Sequence, residues 1–224
     1  MNNMKETKTT TMSLDRPSKN CRLCADLAAF ADENRRLYPD FFNAPVPSFG
    51  PLDAALLIVG LAPGLKGANK TGRPFTGDFA GDVLYAALKR KKMAFGTYAA
   101  RADDGLTLSN VRITNAVRCV PPQNKVNSIQ TKTCSQFLIS EIDAMPRLKA
   151  ILALGAVAHG AVLSALGQKK NAFPFAHNAR HMLAAPRPLI LVDSYHTSRY
   201  NVNTGVLTEE MFDNALQTAV DALS

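Results

Sequence analysis

Apolar runs of strand length recur along the chain, each followed by a loop and then by a stretch whose apolar residues return every three to four positions. The runs Ala54 to Val59, Val111 to Val117, Ala150 to Leu154 and Leu189 to Val192 are short, nearly unbroken and rich in Ile, Val and Leu. That is the character of parallel strands covered on both faces. Helical spacing predicts helices over Leu23 to Leu37, Asp78 to Lys92, Ser128 to Ala144, Ala156 to Leu166 and Thr208 to Leu223, with Gly155 and Gly167 bracketing the fourth. The alternation predicts an α/β fold: a single domain whose central, mostly parallel four-stranded sheet is flanked by helices on both sides. No internal repeat is present.

At 224 residues and 46% hydrophobic, the chain suffices for one domain with a sizeable core, expected over residues 20–224. Residues 1–19, rich in Thr, Lys, Asn and Ser, read as a disordered tail without the apolar run of a signal peptide. No stretch approaches the roughly 18 apolar residues of a membrane span, so a soluble, cytoplasmic protein without a membrane partner is expected. The net charge of +8 and pI near 9.5 point to an acidic polymer as partner. Lys89-Arg90-Lys91-Lys92, Arg118 and Lys169-Lys170 concentrate the charge, although each also fits a solvated helix end or loop.

In open α/β sheets the ligand crevice lies beyond the C-terminal ends of the strands, and three loops there carry unusual residues. The first, Gly60 to Asp78, holds glycines at 60, 64, 67, 72 and 77 with Pro63 and Pro74, so its backbone can approach a ligand closely. The second, Thr114 to Pro122, contains Asn115, whose carboxamide offers both a donor and an acceptor. The third, Asp193 to Asn201, contains His196 as the chain leaves the last strand. Gly64 to Thr71 falls one residue short of a nucleotide-binding P-loop, but Gly72 and Pro74 follow at once and break the helix that such a loop must enter.

The four cysteines fall as Cys21-x-x-Cys24, then Cys119 and Cys134, with 94 residues between Cys24 and Cys119 and 14 between Cys119 and Cys134. Zinc and a [4Fe–4S] cluster both accept four thiolates. A zinc ribbon or finger spaces its second ligand pair as closely as its first. The spread here favours a cluster docked on a folded domain, with structural zinc or two disulfides as the alternatives.

Taken in order, these loops and cysteines resemble the uracil-DNA glycosylase superfamily, and within it the iron–sulfur members of family 5, the type B enzymes. The resemblance rests on Gly60-Leu-Ala-Pro63, Gly67 to Asp78, Ala116 to Pro122 with Asn124, and His196 to Asn201 followed by Asn203-Thr-Gly205. Leu61 stands where family 4 has a glutamate, which favours family 5. Two departures stand out: Leu65-Lys66 replaces the Ala-His associated with type B enzymes, and Thr197 replaces the proline usual after the histidine.

The resemblance implies an enzyme that flips uracil, or another deaminated or damaged base, out of DNA and hydrolyses its N-glycosidic bond. It implies a nucleoid-associated monomer carrying a [4Fe–4S] cluster on Cys21, Cys24, Cys119 and Cys134. Asp78, His196 and Asn115 become the candidate catalytic residues. Phe75 becomes the platform for the base, Gly60, Leu61, Ala62, Pro63 and Gly64 its pocket, and Ser198, Arg199 and Asn201 the contacts to DNA. Each residue also has a plainer reading: Asp78 as a helix cap, Asn115 bonding to backbone, Phe75 in the core and His196 as a loop hydrogen-bonder. His159 reads as packing, and His177 and His181 as surface residues. The rival function is a non-catalytic iron–sulfur protein that binds single-stranded or damaged DNA.

Overall fold

The computed structural model describes residues 14–184 and 187–224. The elements run α1 (Ala25–Leu37), β1 (Leu56–Gly60), α2 (Ala68–Thr71), α3 (Phe79–Arg90), β2 (Ala94–Phe95), β3 (Thr107–Leu108), β4 (Val111–Asn115), α4 (Ser128–Asp143), β5 (Ala150–Leu154), α5 (Ala156–Ala165), β6 (Arg180–Leu183), β7 (Leu189–Ser194), α6 (Arg199–Asn203) and α7 (Glu209–Asp221). The main sheet has the order β4-β1-β5-β7-β6, and β2 and β3 form a separate small ribbon. Its first four strands are parallel; β6 pairs antiparallel with β7. The sheet thus has five strands where four were expected. Its fifth, Arg180-His-Met-Leu183, buries only Leu183 and has no apolar run to announce it, as suits an edge.

Successive residues of β1 serve opposite layers. Leu56 and Ile58 pack with Leu84, Tyr85 and Leu88 of α3 and with Phe212 and Leu216 of α7. Leu57 and Val59 pack with Leu138 and Ile142 of α4 and with Val162 and Leu163 of α5. Each such side chain contributes about 1.5–3 kcal/mol on full burial. This two-sided demand makes the strands continuously apolar and leaves polar residues for the strand ends, where the site forms. The helices start on local caps: Asn127 and Gln130 form a reciprocal capping box on α4, and Thr208 caps α7.

Two buried ionic clusters hold the loops near the site. Arg73 meets Asp104 through two 2.8 Å bonds, with its guanidinium over the rings of Phe49, Tyr85 and Tyr98. Glu141 of α4 accepts from Arg112 of β4 and, at 2.7 Å, from Arg118. Arg118 is therefore buried rather than offered to a polymer. The run at Lys89 to Lys92 lies at the far end of α3 from its capped N-terminus, where Arg90 pairs with Glu209 and Asp213 of α7.

The expected tail falls largely on residues 1–13, outside the described residues. Residues 14–19 form neither helix nor strand, and Asp15 donates its backbone N–H to Ser140 Oγ at 2.7 Å. Among the described residues no helix is long and apolar enough to cross a membrane.

Candidate active site and cysteine cavity

A cavity of about 590 Å³ opens at the C-terminal ends of β1, β4 and β7 and is lined by Leu61, Ala62, Pro63, Gly64, Phe75, Asp78, Asn115, His196, Ser198 and Arg199, among others. Asn115 is the last residue of β4, paired in register with Gly60. A Cβ on Gly60 would sit 2.4 Å from Asn115 Oδ1 and 2.5 Å from Phe75 Cζ. Gly60 thus lies behind the wall, and its missing side chain lets the ring and the carboxamide meet.

Phe75 is buried yet holds a positive φ of 51°, a strained conformation for an aromatic residue. Its neighbours fix it there. Tyr85 donates its hydroxyl to Pro74 O at 2.7 Å, and Gly81 presses so closely that a Cβ would fall 1.8 Å from Phe75 O. The ring lies 6.0 Å from that of His196.

Asp78 caps α3, with Oδ1 accepting from Gly81 N at 3.0 Å. The plain reading as a cap therefore holds, and the same carboxylate also lines the cavity. Its Oδ2 lies 2.3 Å from where a Gly67 Cβ would be. Burial raises its pKa above the usual carboxylate value, because desolvation disfavours the charge. His196 faces the cavity with its pKa lowered by burial, which favours the neutral ring. Thr197, where a proline was expected, is fully buried and donates Oγ1–H to Ala80 O at 3.2 Å, anchoring the loop to α3.

The four cysteines are free and line one further cavity with Leu27, Val117 and Phe137. Burial among other thiols raises the pKa of Cys24 and Cys134 and pushes that of Cys119 up to about 12. Thiolates here thus need a cationic partner. Arg118 also lines this cavity, and its buried Nε has no hydrogen-bond partner.

A family model of the Uracil DNA glycosylase superfamily matches residues 47–220. The chain belongs to this superfamily. It is 40% identical over 204 residues to a type-5 uracil-DNA glycosylase of Thermus thermophilus, covering 89% of this chain and 92% of the relative. It is 38% identical to a type-5 uracil-DNA glycosylase of Pyrobaculum aerophilum, covering 89% and 88%. A type-4 uracil-DNA glycosylase of Pyrobaculum aerophilum is 33% identical over 125 residues, covering 55% of this chain and 56% of the relative. Within the superfamily the chain falls with the type-5 group, as Leu61 in the first motif foretold.

Several sequence expectations change on this uracil-DNA glycosylase fold. Asn201 lies behind the cavity, donating Nδ2–H to His196 O at 2.8 Å. Ser198 caps α6 by accepting from Asn201 N. His181 is not a free surface residue: its Nε2 lies 3.0 Å from Asp193 Oδ2, while His159 Nδ1 lies 2.7 Å from Oδ1. His177 Nδ1 accepts from Tyr195 N at 3.2 Å. Asn69, at the P-loop-like position, is buried and bonds to Asn43, and α2 ends after four residues. Lys66, Phe79 and Asn124 line the cavity without having been assigned to the site. Of these, Lys66 had a signal as a departure from the type B motif, and Asn124 as part of the motif that follows β4.

Proposed function

We propose that the chain is a monofunctional uracil-DNA glycosylase that extrudes the target nucleotide and hydrolyses its N-glycosidic bond. The observation that carries this reading is the convergence of Phe75, Asn115, Asp78 and His196 on one cavity of nucleoside size. A base inside a duplex is out of reach, so it must be flipped. Phe75 then offers a rigid face to stack on, and Asn115 pairs its donor and acceptor with the imide edge of uracil. Tyr200 of α6, 73% exposed and next in sequence to the cavity-lining Arg199, would fill the stack that the base vacates.

As the bond to C1′ breaks, negative charge gathers on the base and positive charge on the sugar. Neutral His196 donates its ring N–H to the developing base oxyanion, and such a donor is worth about 3–4 kcal/mol. Asp78, anionic and poorly solvated, stabilises the oxocarbenium ion and orients the water whose oxygen bonds to C1′. That water's proton leaves to solvent, and the free base departs from an abasic site. Lys66, at the departure from the type B motif, faces the cavity and would tune acceptance of further bases such as hypoxanthine or ethenocytosine.

Cys21, Cys24, Cys119 and Cys134 are the residues that would hold a [4Fe–4S] cluster. Four thiols on one cavity and an unpartnered Arg118 Nε–H beside it fit that group. Four thiolates on one zinc ion stand about 3.8 Å apart. Among the described residues the group of metal-binding side chains within 4.8 Å of one another is His159, His181 and Asp193, not the cysteines. The wide spacing of the cysteines along the chain favours a cluster over a single ion. Its contribution is structural, tying the segment before α1 to β4 and α4.

The test is excision from a labelled oligonucleotide carrying one uracil, in EDTA, followed by alkaline cleavage. Scission at the uracil supports the reading. Tight binding with no scission would replace it with the non-catalytic DNA-binding protein.

A further inference from the structure

We infer that the groove between α4 and α5 is a second nucleic-acid site, a track for the single-stranded flank of the strand whose lesion enters the cavity. The inference rests on the glycosylase reading. The groove encloses about 960 Å³ and lies between the N-terminal halves of two helices that start on the same edge of the sheet as the catalytic cavity.

Its walls differ in chemistry. On α4, Ser128, Thr131, Lys132 and Ser135 fall at helical intervals on one face; Thr131 and Ser135 donate their hydroxyls to Asn127 O and Lys132 O, and the Lys132 ammonium is the donor of the kind that holds phosphates. On α5 the small residues Ala156 and Gly160 leave the groove deep, with Val157 49% exposed. Lys170 reaches over this wall, its Nζ 3.4 Å from where a Gly160 Cβ would be. Half-buried Phe173 and Phe175 close the far side. A cationic groove with aromatic faces is the general design for a single strand, because every base offers a face to stack.

Charge distinguishes this flank from the other. Among the described residues no carboxylate lines the groove, and neither Lys132 nor Lys170 has a carboxylate within 4.0 Å. The cleft on the opposite side of the cavity, at Lys66 and Lys70, includes Asp40 and Asp103, and Asp103 already pairs with Arg101.

The groove also lies beside the catalytic loop. The Phe175 ring lies 6.1 Å from that of Tyr195, the residue before His196. Ala156 follows Gly155, whose missing Cβ would lie 3.7 Å from His196 Cβ. A strand leaving the cavity on the Gly155 side would pass next to the groove.

The test compares wild type with Lys132→Ala/Lys170→Ala by fluorescence anisotropy on uracil-free single strands over a salt series. Each lost phosphate contact reduces the slope of log K against log salt by about 0.7 on single strands, so the double variant should be shallower by about 1.4. In parallel, p-benzoylphenylalanine at position 157 should crosslink to flanking nucleotides of the uracil strand. Long uracil oligonucleotides should also lose their rate advantage over short ones in the double variant. An unchanged slope, or a crosslink that is absent or confined to the complementary strand, would overturn the inference. If wild type fails to excise uracil, the glycosylase reading falls, and the salt slope and crosslink still decide whether the groove binds a strand.

Discussion

Gly60→Ala tests the pocket wall while leaving Asp78 and His196 in place. The backbone of Gly60 lies in β1 outside the left-handed region, so alanine is conformationally acceptable and only space is at issue. Its Cβ would meet Asn115 Oδ1 at 2.4 Å and Phe75 Cζ at 2.5 Å, where ordinary contact begins at 3.4 Å. Both side chains must then retreat by about 1 Å, a misplacement that costs on the order of 100-fold in rate. Phe75 has little room to give, being buried and held at φ 51° by Gly81 and Pro74. Overpacking of this kind costs about 1–3 kcal/mol, which for a chain of this size lowers Tm by about 2–4 °C per kcal/mol. Single-turnover excision with enzyme in excess reads the rate, a thermal melt reads the stability, and affinity for an abasic-site oligonucleotide reports whether the DNA surface survives. A variant with wild-type rate and Tm would refute the wall as described.

Three further outcomes follow from other parts of the structure. Burial lowers the His196 pKa below its ordinary 6.5, so excision should stay flat as pH falls through 6.5. The same residue's contribution to stability is full above 6.5 and is lost as pH falls through its lowered folded value; an excision profile with a midpoint at 6.5 would contradict this. Asp104→Ala strands the buried Arg73 guanidinium and should cost about 3–5 kcal/mol, read by denaturant unfolding, with a loss below 1 kcal/mol counting against the role of that pair. Purified protein should be brown, with broad absorbance near roughly 400 nm, and Cys119→Ser should lose both colour and thermal stability; stoichiometric zinc without iron would refute the cluster.

The parallel strands were legible because burial on both faces leaves unbroken apolar runs, and β5 ends where the pattern put it. β6 was not legible: its register comes from pairing with β7, and its residues Arg180, His181 and Met182 carry no apolar pattern. That residues of β4, the first loop and the last loop would meet at one cavity was legible through their motifs. What escaped was the use of polar groups in three dimensions. Arg118 reads as a surface cation until Glu141 is placed beside it from α4, and Asn201 reads as a DNA contact until its carboxamide is found holding His196 O. His159 and His181 lie 22 positions apart, yet they share Asp193 and their rings pack edge to face 5.5 Å apart. Such partners are set by topology, which local spacing does not encode.

The most direct test of the account is single-turnover excision of uracil by wild type, His196→Ala and Asp78→Ala, measured beside the affinity of each for an abasic-site oligonucleotide. The account predicts excision by wild type, a loss of about 100- to 1,000-fold for His196→Ala, a large loss for Asp78→Ala, and product affinity retained in both. Excision that is unaffected in both variants would contradict it, since the chemistry would then lie outside the cavity at the ends of β1, β4 and β7.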